Sequence, residues 1–95
     1  MKSMEDRLLN WLAKTEGRKI RPRVICADGY SISIQATPMI HACKIKWGRP
    51  VELELGFPSG HDDLLTPYQD EDMPIYRYVP VKVVAELIAK HGGFL

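Results

Sequence analysis

An Asp28-Gly29 pair between two runs of strand-favouring residues is the feature that most constrains the fold of this chain. Asp-Gly between such runs is a strong local signal for a β-hairpin with a two-residue turn. In the predicted register, Ala27 lies opposite Tyr30, Ile25 opposite Ile32, and Arg23 opposite Ile34. The face of Ile25, Ile32 and Ile34 is therefore expected to meet the core. The opposite face carries Val24 and Cys26 against Ser31, Ser33 and Gln35.

Hydrophobic periodicity predicts the remaining elements. A helix is expected from Met4 to Lys14 or Thr15, with Ser3 as its N-cap, and a second helix is expected from Pro80 until Gly92 and Gly93 end it. The segments Val51–Leu55 and Ile75–Val79 predict a third and a fourth strand. Residues 37–50 are interpreted as an irregular connection with a short extended piece near 42–45, and residues 56–74 as a long loop.

This order of elements predicts one α+β domain over residues 1–95. We expect a mainly antiparallel sheet of three to four strands, with the N- and C-terminal helices packed on one of its faces. Pairing of the third strand with the fourth is inferred from chain order. A chain with 45% hydrophobic and 26% charged residues is an ordinary globular protein by composition.

Charge is distributed unevenly along the chain, although the formal net charge is only +1. Residues 1–50 contain ten Lys and Arg against four Asp and Glu, and residues 51–95 contain three against eight. The two patches can steer a partner electrostatically, or they are solvated loops that face each other across the domain, which is the interpretation we favour. The basic patch is Arg18, Lys19, Arg21 and Arg23, and the acidic patch is Asp62, Asp63, Asp70, Glu71 and Asp72.

The sequence lacks an apolar run long enough to span a bilayer and an apolar N-terminal segment of the secretory type. We therefore expect a cytoplasmic protein without a membrane partner. Cys26 and Cys43 are expected to be reduced, because disulfides are rare in that compartment.

A His41-x-Cys43 pair is the nearest approach to a chemical site. Side chains two residues apart on an extended segment point to the same face, so a metal is one interpretation, with Cys26, His61 and His91 as further ligands. The other is a small thiol-dependent enzyme or sensor, in which Lys44 and Lys46 lower the thiol pKa. The paired spacing of zinc sites is absent, and a buried thiol beside a loop histidine is the simpler interpretation.

A nucleic-acid site is a further alternative, built from the basic patch with Trp47 as a stacking group. A sequence pI near 7.8 lacks the strongly basic balance usual in such proteins.

Four segments resemble a group of small, uncharacterised phage and prophage accessory proteins. They are CADGYSISIQA (26–36), LGFPS (55–59), YVPVKVV (78–84) and KHGG (90–93). Members of that group carry a His-Tyr-Cys-Ser-Pro-Arg run after the hairpin. This chain matches it at His41 and Cys43 and departs from it at Ala42, Lys44, Ile45 and Lys46.

The resemblance implies a protein that binds a host protein and blocks or redirects it, for example as an inhibitor of a bacterial defence system such as a CRISPR effector, without a cofactor or a reaction of its own. Combined with the segregated charge, it predicts a non-enzymatic interaction protein. Whether two copies pair through an exposed edge strand stays open. The predicted partner-binding residues are Arg18, Lys19, Arg21, Arg23, Trp47, Asp70, Glu71 and Asp72.

Overall fold

The computed structural model describes residues 2–38, 42–71 and 73–95. It confirms an α+β fold, with a five-stranded antiparallel sheet and a helix near each end of the chain. The elements in chain order are α1 (Met4–Lys14), β1 (Val24–Ile25), β2 (Ser31–Gln35), β3 (Lys44–Lys46), β4 (Arg49–Gly56), a 3₁₀ helix (Asp63–Tyr68), β5 (Ile75–Pro80) and α2 (Val81–Lys90).

Both helices form where the sequence predicts them. In α1 the Ser3 hydroxyl accepts a hydrogen bond from the Asp6 amide, and the Asp6 carboxylate accepts one from the Ser3 amide. This capping box satisfies two amides that a helix start leaves unpaired. In α2 the first residue follows Pro80, and the Gly93 amide donates to the Ile88 carbonyl at the other end.

The hairpin of β1 and β2 forms, but with a three-residue loop in place of the predicted two-residue turn. The Cys26 amide donates to the Tyr30 carbonyl at 2.7 Å, and Gly29 adopts the left-handed conformation, with φ +94°, that closes such loops. Val24 therefore pairs with Ile32. The predicted register is wrong by one residue, which exchanges the faces of β1: Val24 and Cys26 are buried, and Ile25 is 47% exposed.

Strand β4 is the centre of the sheet. One edge pairs with β3 over its first half and with β2 over its second half, and the other edge pairs with β5. The inferred pairing of the predicted third and fourth strands, which are β4 and β5, is confirmed. Residues 37–50 are more regular than predicted, because β3 and β4 form a hairpin whose turn is Trp47-Gly48.

The core lies between the sheet and the helices. Helix α2 packs on β4 and β5, and α1 packs on α2 and reaches the core with Leu8 and Leu12. The predicted loop 56–74 contains the 3₁₀ helix, whose Leu65 is fully buried. Neither helix in the described part of the chain is long and apolar enough to cross a lipid bilayer.

Candidate protein-binding surface

A groove of about 1000 Å³ separates the end of α1 from the β3–β4 hairpin. Residues 17–21 form one wall, Gly48, Arg49 and Pro50 form the other, and Leu12 and Ala36 contribute to its apolar lining. We call it the connector groove. The connector groove is lined by the two segments that flank the β1–β2 hairpin in the sequence. They are the basic connector before β1 and the residues that follow β2.

Three exposed cations belong to this groove. Arg18 and Lys19 come from the connector, and Arg49 comes from the start of β4. No side chain of the three makes an ion pair or hydrogen bond with another described residue. Glu16 is the one acidic side chain among the described lining residues. The surface therefore presents an apolar lining with an unneutralised positive rim.

Trp47 lies beside the groove at the tip of the β3–β4 hairpin, and its side chain is 92% exposed. Trp47 and Gly48 both have positive φ angles, 56° and 75°. A two-residue hairpin turn of this kind requires φ > 0 at both positions and favours Asn-Gly or Asp-Gly. A left-handed conformation costs a residue such as Trp about 1–2 kcal/mol. The indole of Trp47 therefore does not contribute to the core, and the backbone conformation at position 47 is unfavourable for Trp.

Arg21 lies at the base of the connector groove but is buried, so the structure does not support its predicted role in binding. The residue is 4% exposed. Its guanidinium donates to the Thr15 hydroxyl at 2.8 Å, to the Ala36 carbonyl at 2.6 Å and to the Leu12 carbonyl at 3.1 Å. The Gln35 side chain also binds both the amide and the carbonyl of Arg21. Arg21 therefore fastens the end of α1 to the end of β2 and holds the connector in place.

Arg23 is exposed, but it is held against the hairpin. Its guanidinium donates to the hydroxyl and the carbonyl of Ser31 and to the carbonyl of Phe57. None of these acceptors is a carboxylate, so the charge of Arg23 stays unneutralised. Arg23 does not line the connector groove.

The acidic patch lies at the other end of the sheet. Asp70 joins β5 through its amide, which donates to Ile75, and Ile75 pairs with Gly56 at the end of β4. The connector groove contains Pro50, six residues away along β4, or about 20 Å. The connector groove and Asp70 therefore lie at opposite ends of β4, and within the described ranges no ion pair joins the connector to the acidic loop.

The members of the acidic patch have separate environments. Asp70 pairs with Arg77 at 3.0 Å, and Glu71 is exposed with φ 52°. Asp63 is exposed, whereas Asp62 is buried. Asp72 lies outside the described residues.

Asp62 belongs to a cluster that sequence reasoning missed. His91 Nδ1 lies 2.7 Å from Asp28 Oδ2, and His91 Nε2 lies 3.0 Å from Asp62 Oδ2. Lys90 Nζ lies 3.1 Å from the Asp62 carboxylate. The ring of Tyr30 stacks on His91 with centroids 3.9 Å apart. This histidine cluster connects the β1–β2 turn, the loop after β4 and the end of α2.

Hydrogen bonds and ion pairs hold the histidine cluster together. Partial burial disfavours the charged form of His91, but the hydrogen bonds to Asp28 and Asp62 outweigh it and raise the pKa of His91. The Tyr30 amide and His91 lower the pKa of Asp28. Burial opposes ionisation of Asp62, yet hydrogen bonds from Leu64, His91 and Lys90 lower its pKa. When His91 is protonated, both of its ring nitrogens donate to carboxylates, and neither then has a free lone pair.

The thiols have the properties of packed side chains. Neither cysteine forms a disulfide. Burial raises the pKa of Cys26, and burial also raises the pKa of Cys43, whose Sγ lies 3.1 Å from the Thr37 carbonyl. A reactive cysteine has a lowered pKa instead. His41 lies outside the described residues.

Among the residues that the structure describes, no group of three or more His, Cys, Asp or Glu side chains is arranged to hold a metal ion. The loop histidine His61 contacts hydroxyl groups, at 3.3 Å from the Tyr76 Oη and 2.9 Å from the Thr66 Oγ1.

No protein family, curated protein or solved structure matches the chain. Of the predicted binding residues, the structure brings Arg18 and Lys19 together on one groove with Trp47 beside it. Sequence reasoning missed Arg49 and the 73% exposed Ile20. The sequence signal for this hairpin was the Trp-Gly pair between the lysines of β3 and Arg49 at the start of β4, although Trp is unusual in such a turn.

Proposed function

We propose that this chain is a non-catalytic interaction protein that binds an acidic partner protein through the connector groove and Trp47. The observation that carries the proposal is the exposed, conformationally disfavoured Trp47 beside an apolar groove with a positive rim. Tryptophan and arginine dominate the energetic hot spots of protein interfaces. Residues that pay a backbone cost without serving the core are found at functional sites.

A protein partner explains the aliphatic part of this surface. Ile20 lines the connector groove and is 73% exposed. Aliphatic side chains gain free energy by packing against apolar side chains of another protein. The positive rim selects an acidic surface and accelerates association with it.

The resemblance to small phage accessory proteins leads us to propose a bacterial host protein as the partner, such as a component of a defence complex. Binding of that kind needs shape and charge complementarity and no reaction.

A single-stranded nucleic acid is the second candidate, because Lys44 and Lys46 precede the exposed indole of Trp47 on β3. Bases stack on such rings, and cations track the phosphates. A mobility shift with an oligo-dT strand at low salt tests this candidate. No shift at protein concentrations that saturate the protein partner eliminates it.

The test of the proposal is affinity purification from the bacterial host, followed by measurement of Kd for the retained protein. The variants are R18E/K19E, which reverses two charges of the groove rim, and K82E, a single charge reversal on the exposed side of α2 outside the groove. We expect R18E/K19E to weaken Kd by more than tenfold and K82E to leave it unchanged. Equal effects of the two variants contradict the proposal.

A further inference from the structure

A second basic cleft, of about 840 Å³, lies on the other side of α1. It separates the helix from β1 and from the last two residues of the chain, and we call it the helix cleft. Four cations line it, namely Lys2, Arg7, Lys14 and Arg23, and none of its described lining residues is Asp or Glu. Eight of the ten Lys and Arg of residues 1–50 thus line one cleft or the other, and Lys44 and Lys46 precede Trp47 on β3.

The helix cleft combines charge with exposed apolar surface, as the connector groove does. Trp11 and Phe94 line the cleft, and the centroids of their rings are 6.2 Å apart. Ile25 is 47% exposed and Leu95 is 84% exposed. Ile25 faces this cleft because of the one-residue register shift in β1.

Three cations of this cleft, two on α1 and one just before it, make no ion pair or hydrogen bond to a described residue. Within the part of the chain that the structure describes, the side chains of Lys2, Arg7 and Lys14 make no hydrogen bond or ion pair. Arg7 and Lys14 are seven residues apart on α1, so they lie on one side of the helix at a separation of about 10 Å along its axis. Positive charges on one side of a helix, without acidic side chains beside them, attract an acidic ligand.

The two clefts meet at Asn10, which lines both of them. A chain that leaves the connector groove therefore needs to cross only the width of α1, about 10 Å, to enter the helix cleft. An extended polypeptide covers that distance with roughly three to four residues.

We infer that the partner presents an extended acidic segment with interspersed apolar side chains, which runs from the connector groove across Asn10 into the helix cleft. The inference rests on the proposed function and specifies the partner. The aliphatic Ile20, Ile25 and Leu95 along the path favour a polypeptide over a nucleic acid, whose bases bind by stacking on aromatic rings. A second copy of this chain complements the path less well, because its Asp70 is already paired with Arg77.

The two tryptophans allow each cleft to be followed separately, because Trp11 lines the helix cleft and Trp47 lies beside the connector groove. The variant W47F leaves Trp11 as the fluorescent reporter, and W11F leaves Trp47. The probes are peptides of alternating glutamate and leucine with about twelve residues, which extend to about 40 Å, and with about four residues, which extend to about 13 Å.

We expect the long peptide to change the emission of both reporters. In each single-tryptophan variant the long peptide should bind at least tenfold more tightly than the short one, because its second segment binds intramolecularly. The variant R7E/K14E should reduce the affinity for the long peptide to that for the short one and suppress the Trp11 response, while K82E changes neither. Circular dichroism confirms that each variant is folded.

A Trp47 response without a Trp11 response, or full affinity in R7E/K14E, overturns the inference and leaves the proposed function standing. If the peptide changes the emission of neither Trp11 nor Trp47, both the proposed function and the inference are overturned. Tighter binding of an oligo-dT strand than of the long peptide also overturns the inference, as does a self-associated chain that R7E/K14E converts into monomers.

Discussion

His91 Nε2 lies 3.0 Å from Oδ2 of Asp62, a buried carboxylate 29 residues earlier in the chain. The same imidazole binds Asp28, 63 residues earlier, through its other nitrogen. The His91 side chain, at the end of α2, therefore links the loop after β4 to the β1–β2 turn. We expect the stability of the fold to depend on the charge of that side chain.

We expect the unfolding free energy to be greatest at mildly acidic pH. The pKa of folded His91 is raised, so its stabilisation is complete below the unfolded value of about 6.5 and is lost as pH rises through the folded pKa. The pKa values of folded Asp28 and Asp62 are lowered, so their stabilisation is present above about pH 4 and is lost as pH falls through the folded values. Urea unfolding across this range measures both limbs. A profile for H91Q that keeps the alkaline limb contradicts the assignment to His91.

Removal of the Asp62 carboxylate should be strongly destabilising. The side chain of Asp62 is 5% exposed and accepts hydrogen bonds from His91, Lys90 and the Leu64 amide. Breaking a buried ion pair by deleting one partner costs about 3–5 kcal/mol, so we expect D62A to lose about 3 kcal/mol in urea unfolding. The neighbouring Asp63 is exposed, and D63A should change stability by less than about 0.5 kcal/mol. Equal losses in the two variants would contradict this role for Asp62.

Arg21 should be needed for folding and not for recognition. The variant R21A removes the Arg21 donor from the Ala36 carbonyl in a buried site, and an unsatisfied buried group costs about 1–3 kcal/mol. We expect the melting temperature of R21A to fall and that of R18A to stay constant, because Arg18 is exposed. An R21A protein of unchanged stability would contradict this structural role for Arg21.

Gly92 should be intolerant of a side chain. Its φ is +92°, and an added Cβ would lie 3.0 Å from the Cβ of Ala27 in the β1–β2 turn. Left-handed strain alone costs about 1–3 kcal/mol, and the contact adds to it, so we expect G92A to lose at least that much. Gly60 has no heavy atom within 4 Å of such a Cβ, and G60A serves as the control. Equal denaturation midpoints for G92A and G60A would contradict this prediction, because the end of α2 would then accommodate the added Cβ without loss of stability.

Local sequence signals predicted most elements of the fold, but not the register of the first hairpin. Both helices, the hairpin, and the strands β4 and β5 follow from periodicity and turn residues. The register failed because Val24, Ile25, Cys26 and Ala27 are all apolar, so β1 has no alternation to distinguish its two faces. Asp28-Gly29 fits a two-residue turn and a three-residue loop equally well, since Gly29 supplies the positive φ in either.

The candidate surface was predicted only in part, for a related reason. Exposed charge and an aromatic residue can be read locally, as Arg18, Lys19 and Trp47 illustrate. The buried role of Arg21 depends on acceptors up to 15 residues away, and the histidine cluster depends on partners 29 and 63 residues away. No local pattern marks such contacts.

The most direct test of the central claim is the variant W47N, measured both for unfolding free energy and for Kd toward the partner that the wild-type chain retains. Asn-Gly suits the turn better than Trp-Gly, so we expect stability to rise by about 1 kcal/mol. Loss of the indole should weaken Kd by about 30-fold, the equivalent of about 2 kcal/mol for a hot-spot residue. A W47N protein that is less stable than wild type and binds the partner equally well would contradict the account, because Trp47 would then serve the fold and not the interface.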